Sequence, residues 1–405
     1  MQPAVDGRER VRTLSPEVWS LLFTFSGAQA ANAVVSVFLN LFVFVVSGSL
    51  SGLIQFEGAY FFSLTFVFYG VAALFRGQPP LKPYRLGLLL TIGFYLLLLW
   101  LNRRASHYIP ELGLLWGITQ GVYWFGVNLM SFDTVPADRR TTFYGYSGAI
   151  LSITQVVGPS LSGALTAVIP GVRGYLVVFG VGMVLYGVAL VASAFVPLGP
   201  PMQVAGVGES WRLYRDRLDW RLAAHSIVVR GTREGISGIA GVYLVYLTTG
   251  YSWAVGAYAG LTALARMASS LGVTRWLAPG GRRAKSLLIG SIGMTGGALL
   301  LFVPGWPWVF AYGLTTALAM PFYSIPNAAL PLDVMDRDPE VAAHRVSYTL
   351  SREVALNAGR LGVIGLLAEA SQWVGGPAAL AFLLTLTSSA QLWIARVSRL
   401  LFPQA

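Results

Sequence analysis

The 405-residue chain contains no cysteine, which excludes disulfides, thiolate metal sites and a cysteine nucleophile. Its three histidines, His107, His225 and His344, are too far apart to form a metal-ligand pattern, so no metal or other cofactor is implied. Charge is equally scarce. Only 11% of the residues are Asp, Glu, Lys or Arg, against about 25% in an ordinary soluble domain, too few to cover a water-facing surface. There is no Walker-type phosphate loop and no nucleophile–base arrangement, so neither nucleotide hydrolysis nor enzyme catalysis is expected. The formal net charge of +11 would suit nucleic acid only if the cations gathered on one surface. They fall instead in short clusters between apolar runs, and no nucleic-acid partner is expected.

What the chain does have is apolar length, with 55% of its residues hydrophobic. About twenty apolar residues cross the hydrocarbon core of a bilayer. Such runs occupy roughly 17–47, 52–75, 85–102, 111–132, 142–169 and 174–197, then 221–249, 252–275, 286–304, 306–330, 346–373 and 376–400. The first follows a polar stretch of fifteen residues; it is longer than the 7–15 residues, roughly, of a signal-peptide core and reads as a retained span. The one sizeable interruption, residues 199–221, is rich in Gly, Pro and charge. The expected fold is therefore an all-α membrane protein of twelve transmembrane helices, with a six-helix half over 1–198, a cytoplasmic central loop over 199–221 and a second six-helix half over 222–405.

The cations test this count. With the N-terminus inside, 20 of the 28 Lys and Arg residues fall in inner segments, and only Arg103, Arg104 and Arg173 fall outside. That bias over short loops is the positive-inside pattern, and a miscounted span would scramble it. A bacterial plasma membrane with both termini cytoplasmic follows, with the lipid bilayer as partner and a monomer as the expected state. The halves also echo each other: Tyr123-Trp-Phe-Gly-Val-Asn128 precedes Asp133 and Arg140, and Phe322-Tyr-Ser-Ile-Pro-Asn327 precedes Asp333 and Arg345. Repeats of this kind mark two-half transporters.

Five arginines lie within spans, Arg230, Arg233, Arg266, Arg352 and Arg360, with three clear acids, Glu57, Glu234 and Glu353. An ionisable group in mid-span costs at least about 2.5–3.5 kcal/mol and therefore faces a partner or a wet cavity. At about 100° per residue, Glu353, Asn357 and Arg360 share one helix face, and Arg230 and Glu234 are one turn apart. Gln29, Asn32, Ser36 and Asn40 form a polar stripe on the first span. Gln120, Tyr123, Trp124 and Asn128 form an aromatic-polar face on the fourth. Arg230–Glu234 has a structural alternative as a helix tether, and Glu57, near the outer end of its span, has one as a snorkelling group.

Two six-helix halves joined by a basic loop resemble the major facilitator superfamily over essentially the whole chain. The loop pattern of that family, Gly-x-x-x-Asp-Arg-x-Gly-Arg-Arg, survives partly as Ala278-Pro-Gly-Gly-Arg-Arg-Ala-Lys285, without the Asp, and is degraded to Arg76-Gly-Gln-Pro-Pro-Leu-Lys-Pro-Tyr-Arg85 in the first half. Gly158-Pro159-Ser-Leu-Ser-Gly163 is similar to the Gly-Pro-x-x-Gly-Gly element of the family's exporters, with Ser162 in place of one glycine. Arg230-Gly-Thr-Arg-Glu-Gly235 and the segment from Ser351 to Arg360 look like parts of a Gram-positive branch of these permeases.

The resemblance implies alternating access around a mid-membrane site. For a small-molecule substrate the expected contacts are Gln29, Asn32, Ser36, Gln120, Trp124, Asn128, Arg233, Arg266, Asn327, Asn357 and Arg360. Proton coupling is expected at Glu234, Glu353 or Glu57, and gating at Asp133, Arg140, Asp333, Arg345, Gly158 and Pro159. Five cations against three acids favour an anionic or amphiphilic solute, and the Gly-Pro element favours its proton-coupled export. The alternative is a flippase for a lipid-linked envelope intermediate.

Overall fold

A chain in hydrocarbon must pair its backbone polar groups within itself, and a helix does so inside one segment. A computed structural model of the protein describes residues 16–133, 140–199, 201–202, 208–277 and 282–402. The described residues are helical nearly throughout, without a strand among them. In chain order the helices are α1 (Pro16–Ser47), α2 (Leu50–Leu74), α3 (Leu81–Leu101), α4 (Ile109–Asp133), α5 (Arg140–Val168), α6 (Val172–Ser193) and α7 (Gly208–Asp216). There follow α8 (Leu218–Thr249), α9 (Ser252–Leu277), α10 (Arg283–Leu299), α11 (Trp306–Met335), α12 (Val341–Val374), α13 (Gly376–Ala390) and α14 (Leu392–Leu401).

The twelve spans are α1 to α6, α8 to α12, and α13 with α14 taken as one. Among the described residues eight of them are long and apolar enough to cross a membrane by composition alone. The other four, α4, α8, α9 and α11, carry much of the polar interior, which lowers their apolarity. The last span breaks at Gln391, whose Nε2 donates to the Val229 and Thr387 carbonyls at 2.8 and 2.9 Å. The break supplies a polar side chain to the interior at the point where the helix ladder is interrupted.

The two halves repeat one packing scheme. In the first, α1 packs on α5 and α6, α2 on α4, and α3 on α4; in the second, α8 packs on α12 and α13, α9 on α11, and α10 on α11. Close backbone approach explains the match. A methyl group at Gly126 would lie 2.5 Å from the Tyr84 nitrogen where α3 meets α4, and one at Gly290 would lie 2.6 Å from the Tyr323 nitrogen where α10 meets α11. Small residues allow such contacts where no hydrophobic force draws helices together.

The halves meet through α5 on α9 and α2 on α12. At the end opposite the termini, Phe44 of α1 stands edge-on to Tyr243 and Tyr246 of α8, with ring centroids 5.3 and 5.8 Å away. Tyr175 Oη and Ser252 Oγ, 2.6 Å apart, add a polar tie there.

Within the central loop lies a helix that the span pattern does not reveal. α7 buries Ser210 and Leu213 against the bundle and turns Trp211 outward. Leu213, Trp220, Leu330, Val334 and Tyr348 form a small apolar cluster beneath it. Beside that cluster Asp338, in the turn between α11 and α12, accepts from Tyr348 Oη at 2.8 Å and pairs with His344 Nδ1 at 2.9 Å and Arg217 Nη1 at 3.2 Å. Burial opposes its ionisation, but hydrogen bonds from His344, Tyr348 and the Glu340 backbone N–H prevail and hold the carboxyl down to about 2.

Two outcomes follow from this end of the molecule. A cysteine at exposed Ser51, in the first turn of α2, should react with an impermeant thiol reagent from outside intact cells, and one at Arg212 on the outer face of α7 should not. Labelling of the Arg212 position from outside would invert the topology. Asp338→Asn should lower the thermal unfolding midpoint at pH 7. A carboxylate held below its unfolded pKa stabilises above that unfolded value and loses the contribution as pH falls through the folded one. The gap between variant and native protein should therefore be full above about pH 5 and close towards pH 2; a gap that stays constant would deny Asp338 the role.

Candidate substrate cavity

The site begins with three glycines. On α8, a methyl group at Gly231 would collide with the Leu356 carbonyl, and one at Gly235 would lie 2.9 Å from the Arg360 Cα; on α12, one at Gly359 would collide with the Val228 carbonyl. Their absence of side chains lets α8 and α12 touch backbone to backbone. Residues one position away then face each other across the seam. Glu234 takes one arginine on each carboxylate oxygen, Arg230 Nε on Oε1 at 2.6 Å and Arg360 Nη2 on Oε2 at 2.8 Å. Arg360 Nη1 donates to Asn357 Oδ1 at 3.0 Å. Its guanidinium stacks 5.0 Å from the Phe61 ring centroid on α2, a cation–π contact that reaches the other half.

In front of this seam lies a cavity of about 660 Å³, walled by α1, α2, α4, α8, α11 and α12. From the first half it receives Asn32, Ser36, Asn40, Glu57, Tyr60, Trp116, Gln120, Trp124 and Asn128. From the second it receives Arg230, Arg352, Glu353 and Arg360. Glu353 Oε1 accepts from Arg352 Nη2 at 2.9 Å. Glu57 Oε1 accepts from Asn40 Nδ2 at 2.6 Å, with no ion pair to it among the described residues. Along α4 the wall repeats every fourth residue, Trp116, Gln120, Trp124 and Asn128, one stripe of a helix face. The cavity runs from the level of Glu57 to Asn128 and Met335, near the ends of α4 and α11 on the terminal side.

Of the expected substrate contacts, Asn32, Ser36, Gln120, Trp124, Asn128 and Arg360 are brought together on this wall. Gln29 is half-buried on α1 and off it. Asn327, 3% exposed, donates to Tyr323 Oη at 3.1 Å within the second half. Asn357 is wholly buried behind Arg360. Arg233 and Arg266 are also off the wall. Among the expected proton carriers Glu57 and Glu353 line the cavity, and Glu234 sits behind it between its arginines. Tyr60 and Trp116 were legible only through their spacing, one turn from Glu57 and from Gln120.

The expected gating residues divide. Asp333 pairs with Arg283 of α10 at 2.6 Å, and Arg345 is half-buried near the start of α12. The side chains of Asp133 and Arg140 lie outside the described residues. A methyl group at Gly158 would lie 2.7 Å from the Ala33 carbonyl carbon on α1, and one at Gly256 of α9 would lie 2.6 Å from the Pro159 oxygen. The Gly158–Pro159 element thus seats α5 against α1 and α9 together. Ser162, standing where the exporter pattern has glycine, donates to the Val34 carbonyl at 2.8 Å and ties the same seam.

A family model described as the Major Facilitator Superfamily matches residues 79–349. YqgE of Bacillus subtilis (strain 168) is 25% identical over 342 residues, which cover 84% of this chain and 79% of that one. Among solved structures, a POT family transporter in complex with 5-aminolevulinic acid superposes with a TM-score of 0.71 at 12% identity, covering 95% of this chain and 96% of its own. The E. coli fucose:proton symporter FucP superposes with a TM-score of 0.63 at 14% identity, covering 94% and 97%. A membrane-spanning bundle of two matched six-helix halves around one polar cavity, with the family model matched over most of its length, makes this chain a member of the major facilitator superfamily.

Proposed function

We propose that the protein is a proton-coupled secondary transporter that carries a small solute with an anionic group, and that the proton resides on Glu57. The carrying observation is the unequal pairing of the three acids. Protonating Glu234 would break two ion pairs and protonating Glu353 one, whereas protonating Glu57 breaks none among the described residues, where its carboxylate accepts from the Asn40 amide. An ion pair resists protonation; among the described residues Glu57 has none, and Arg360 acts on it only across the cavity.

Charge counting then couples proton to solute. Arg230, Arg352 and Arg360 stand against Glu57, Glu234 and Glu353 around the cavity, a neutral set when all are ionised. The excess of arginine that favours an anion in the sequence sits off the wall, at Arg233 and Arg266. A proton on Glu57 leaves one net positive charge, which a carboxylate or similar monoanion neutralises on the arginine side, where the bidentate fork fits it. The amides and indoles of α1 and α4 receive the rest of the solute. Proton and anion thus bind together and travel in one direction. This supports cotransport over the exchange that the Gly158–Pro159 element suggests.

The remaining features fit the same reading. We place the terminal end, onto which the cavity reaches, in the cytoplasm of a bacterial cell. The segment 199–221 with α7 is then the cytoplasmic join between the halves 1–198 and 222–405, and the monomer is the working unit.

A thermal-shift screen of carboxylates, zwitterions and organophosphates would identify the solute. In proteoliposomes its accumulation under a pH gradient should be lost in Glu57→Gln while counterflow at equal pH persists; accumulation undiminished in that variant would remove Glu57 from the mechanism. Glu234→Gln should instead destabilise the protein by about 3–5 kcal/mol, because it leaves two arginines without their shared acid. An unfolding midpoint equal to that of the native protein would show that the arginines find other partners.

A further inference from the structure

The first-half wall of the cavity offers hydrogen-bonding groups that the protein itself does not use. On α4 indole and amide alternate, Trp116, Gln120, Trp124 and Asn128, at steps of about 6 Å along the axis. On α1 Asn32 and Ser36 stand one turn apart on the same cavity. Among the described residues the side chains of Asn32, Ser36, Gln120 and Asn128 have no hydrogen-bond partner. Gln120 is the decisive member, only 4% exposed and with an indole one turn to either side. Amides buried elsewhere in the spans are occupied: Asn327 donates to Tyr323, and Gln391 to two carbonyls. A buried amide without a partner is costly. Water can complete it in the empty cavity, and a solute that displaces the water must replace its bonds.

The groups left open define what would fill them. An amide both donates and accepts, as a hydroxyl does, so three amides and a serine suit a solute that carries several hydroxyls. The indoles between them present apolar faces to the carbon face of a ring. Trp116 is held in place from behind by Phe94 and Tyr95 of α3, with ring centroids 4.8 and 5.7 Å away. Charge sets the other end of the solute. With the proton on Glu57 one net positive charge remains, which a carboxylate matches and a phosphoryl group, at about −1.5 to −2, exceeds. A zwitterion would need a free carboxylate for its ammonium, and Glu234 and Glu353 are already held by arginines. We propose that the solute is a sugar acid, a hydroxylated ring bearing one carboxylate, and that Gln120 is the residue that selects its hydroxyls. The inference rests on the reading of the cavity as the site of one anion and one proton.

The test uses the full chain in neutral detergent, with thermal unfolding followed by tryptophan fluorescence at mildly acidic pH. The probes are D-glucuronate and D-galacturonate, cyclohexanecarboxylate (equal in ring size and charge but without hydroxyls), the matching neutral hexoses, and dialanine. At least one hexuronate should raise the unfolding midpoint by about 3 °C or more at saturation. It should bind at least about 100-fold more tightly than cyclohexanecarboxylate, because a site built to bond hydroxyls rejects the analogue that lacks them. Gln120→Leu, which removes the amide at similar volume, should weaken hexuronate binding at least about tenfold and leave cyclohexanecarboxylate unchanged. A merely structural role for Gln120 would move both together. Glu57→Gln should bind the hexuronate with no dependence on pH; a dependence retained there would dismiss the proton from Glu57, while the affinity still supported the solute class. No shift with either hexuronate, binding of cyclohexanecarboxylate, a neutral hexose or dialanine as tight as that of the hexuronate, or an unchanged preference in Gln120→Leu would each overturn the proposal.

Discussion

The site depends on Glu234 being shared. One carboxylate between two guanidiniums holds α8 to α12 within a bundle whose solvent is as apolar as its side chains. It can form only because Gly231, Gly235 and Gly359 let the two backbones touch. Without that contact the charges would be buried and unpaired, which is strongly destabilising. With it, Arg230 and Arg360 are fixed on the cavity wall in one geometry. Asn357 then needs to be buried, because it holds a second edge of Arg360, and Phe61 carries the contact across to the first half.

The two ends of the bundle are built differently. At the end away from the termini, aromatic edges, the Tyr175–Ser252 pair and the Gly163–Gly256 contact bring the halves together directly. At the terminal end much of the polar bonding lies within the second half, where Arg217, Asp338, His344 and Tyr348 join α8 to the α11–α12 turn. A bundle sealed on one side by contacts between halves, and braced on the other by contacts within one, opens towards the braced side. The cavity reaches that side, at Asn128 and Met335.

Much of this was legible in the sequence because it is written in periodicities and in charge. Spans of apolar length, the alternation of arginine-rich loops and the four-residue stripe on α4 are local patterns, and the structure turns them into helices, ends and a wall. The polar residues on α1 and α4 faced inward for the reason that made them noticeable, the cost of a polar stripe in lipid. Apart from Arg230 and Glu234, which one helical turn brings together, what could not be read was which partner each charge takes. Arg233 and Arg360 sit on neighbouring helices with similar surroundings in sequence, yet one turns to Ser388 and the other to Glu234 and the cavity. That choice depends on helix rotation, set by glycines whose role appears only when the facing helix is known. The break at Gln391 and the short helix α7 escaped for a related reason: both answer to tertiary partners and not to a repeating pattern.

The division of charge between the halves gives the proposed cycle its direction of cause. Glu57 belongs to the first half, and Arg360, which acts on it electrostatically, to the second. When ionised, Glu57 attracts the arginine face across the cavity and favours halves that stay in their present relation. A proton removes that attraction and leaves the arginines seeking an anion; the anion, once bound, bridges to the amide and indole wall of α1 and α4. Each ligand alone leaves the cavity with unbalanced charge, which is costly to enclose in a bilayer. In the proposed cycle only the empty, ionised state and the doubly loaded state are neutral, and these are the states proposed to close and turn over. Coupling then requires no conduit between distant sites. It follows from the expense of occluding charge, applied to a cavity whose acid and arginines lie on opposite moving bodies.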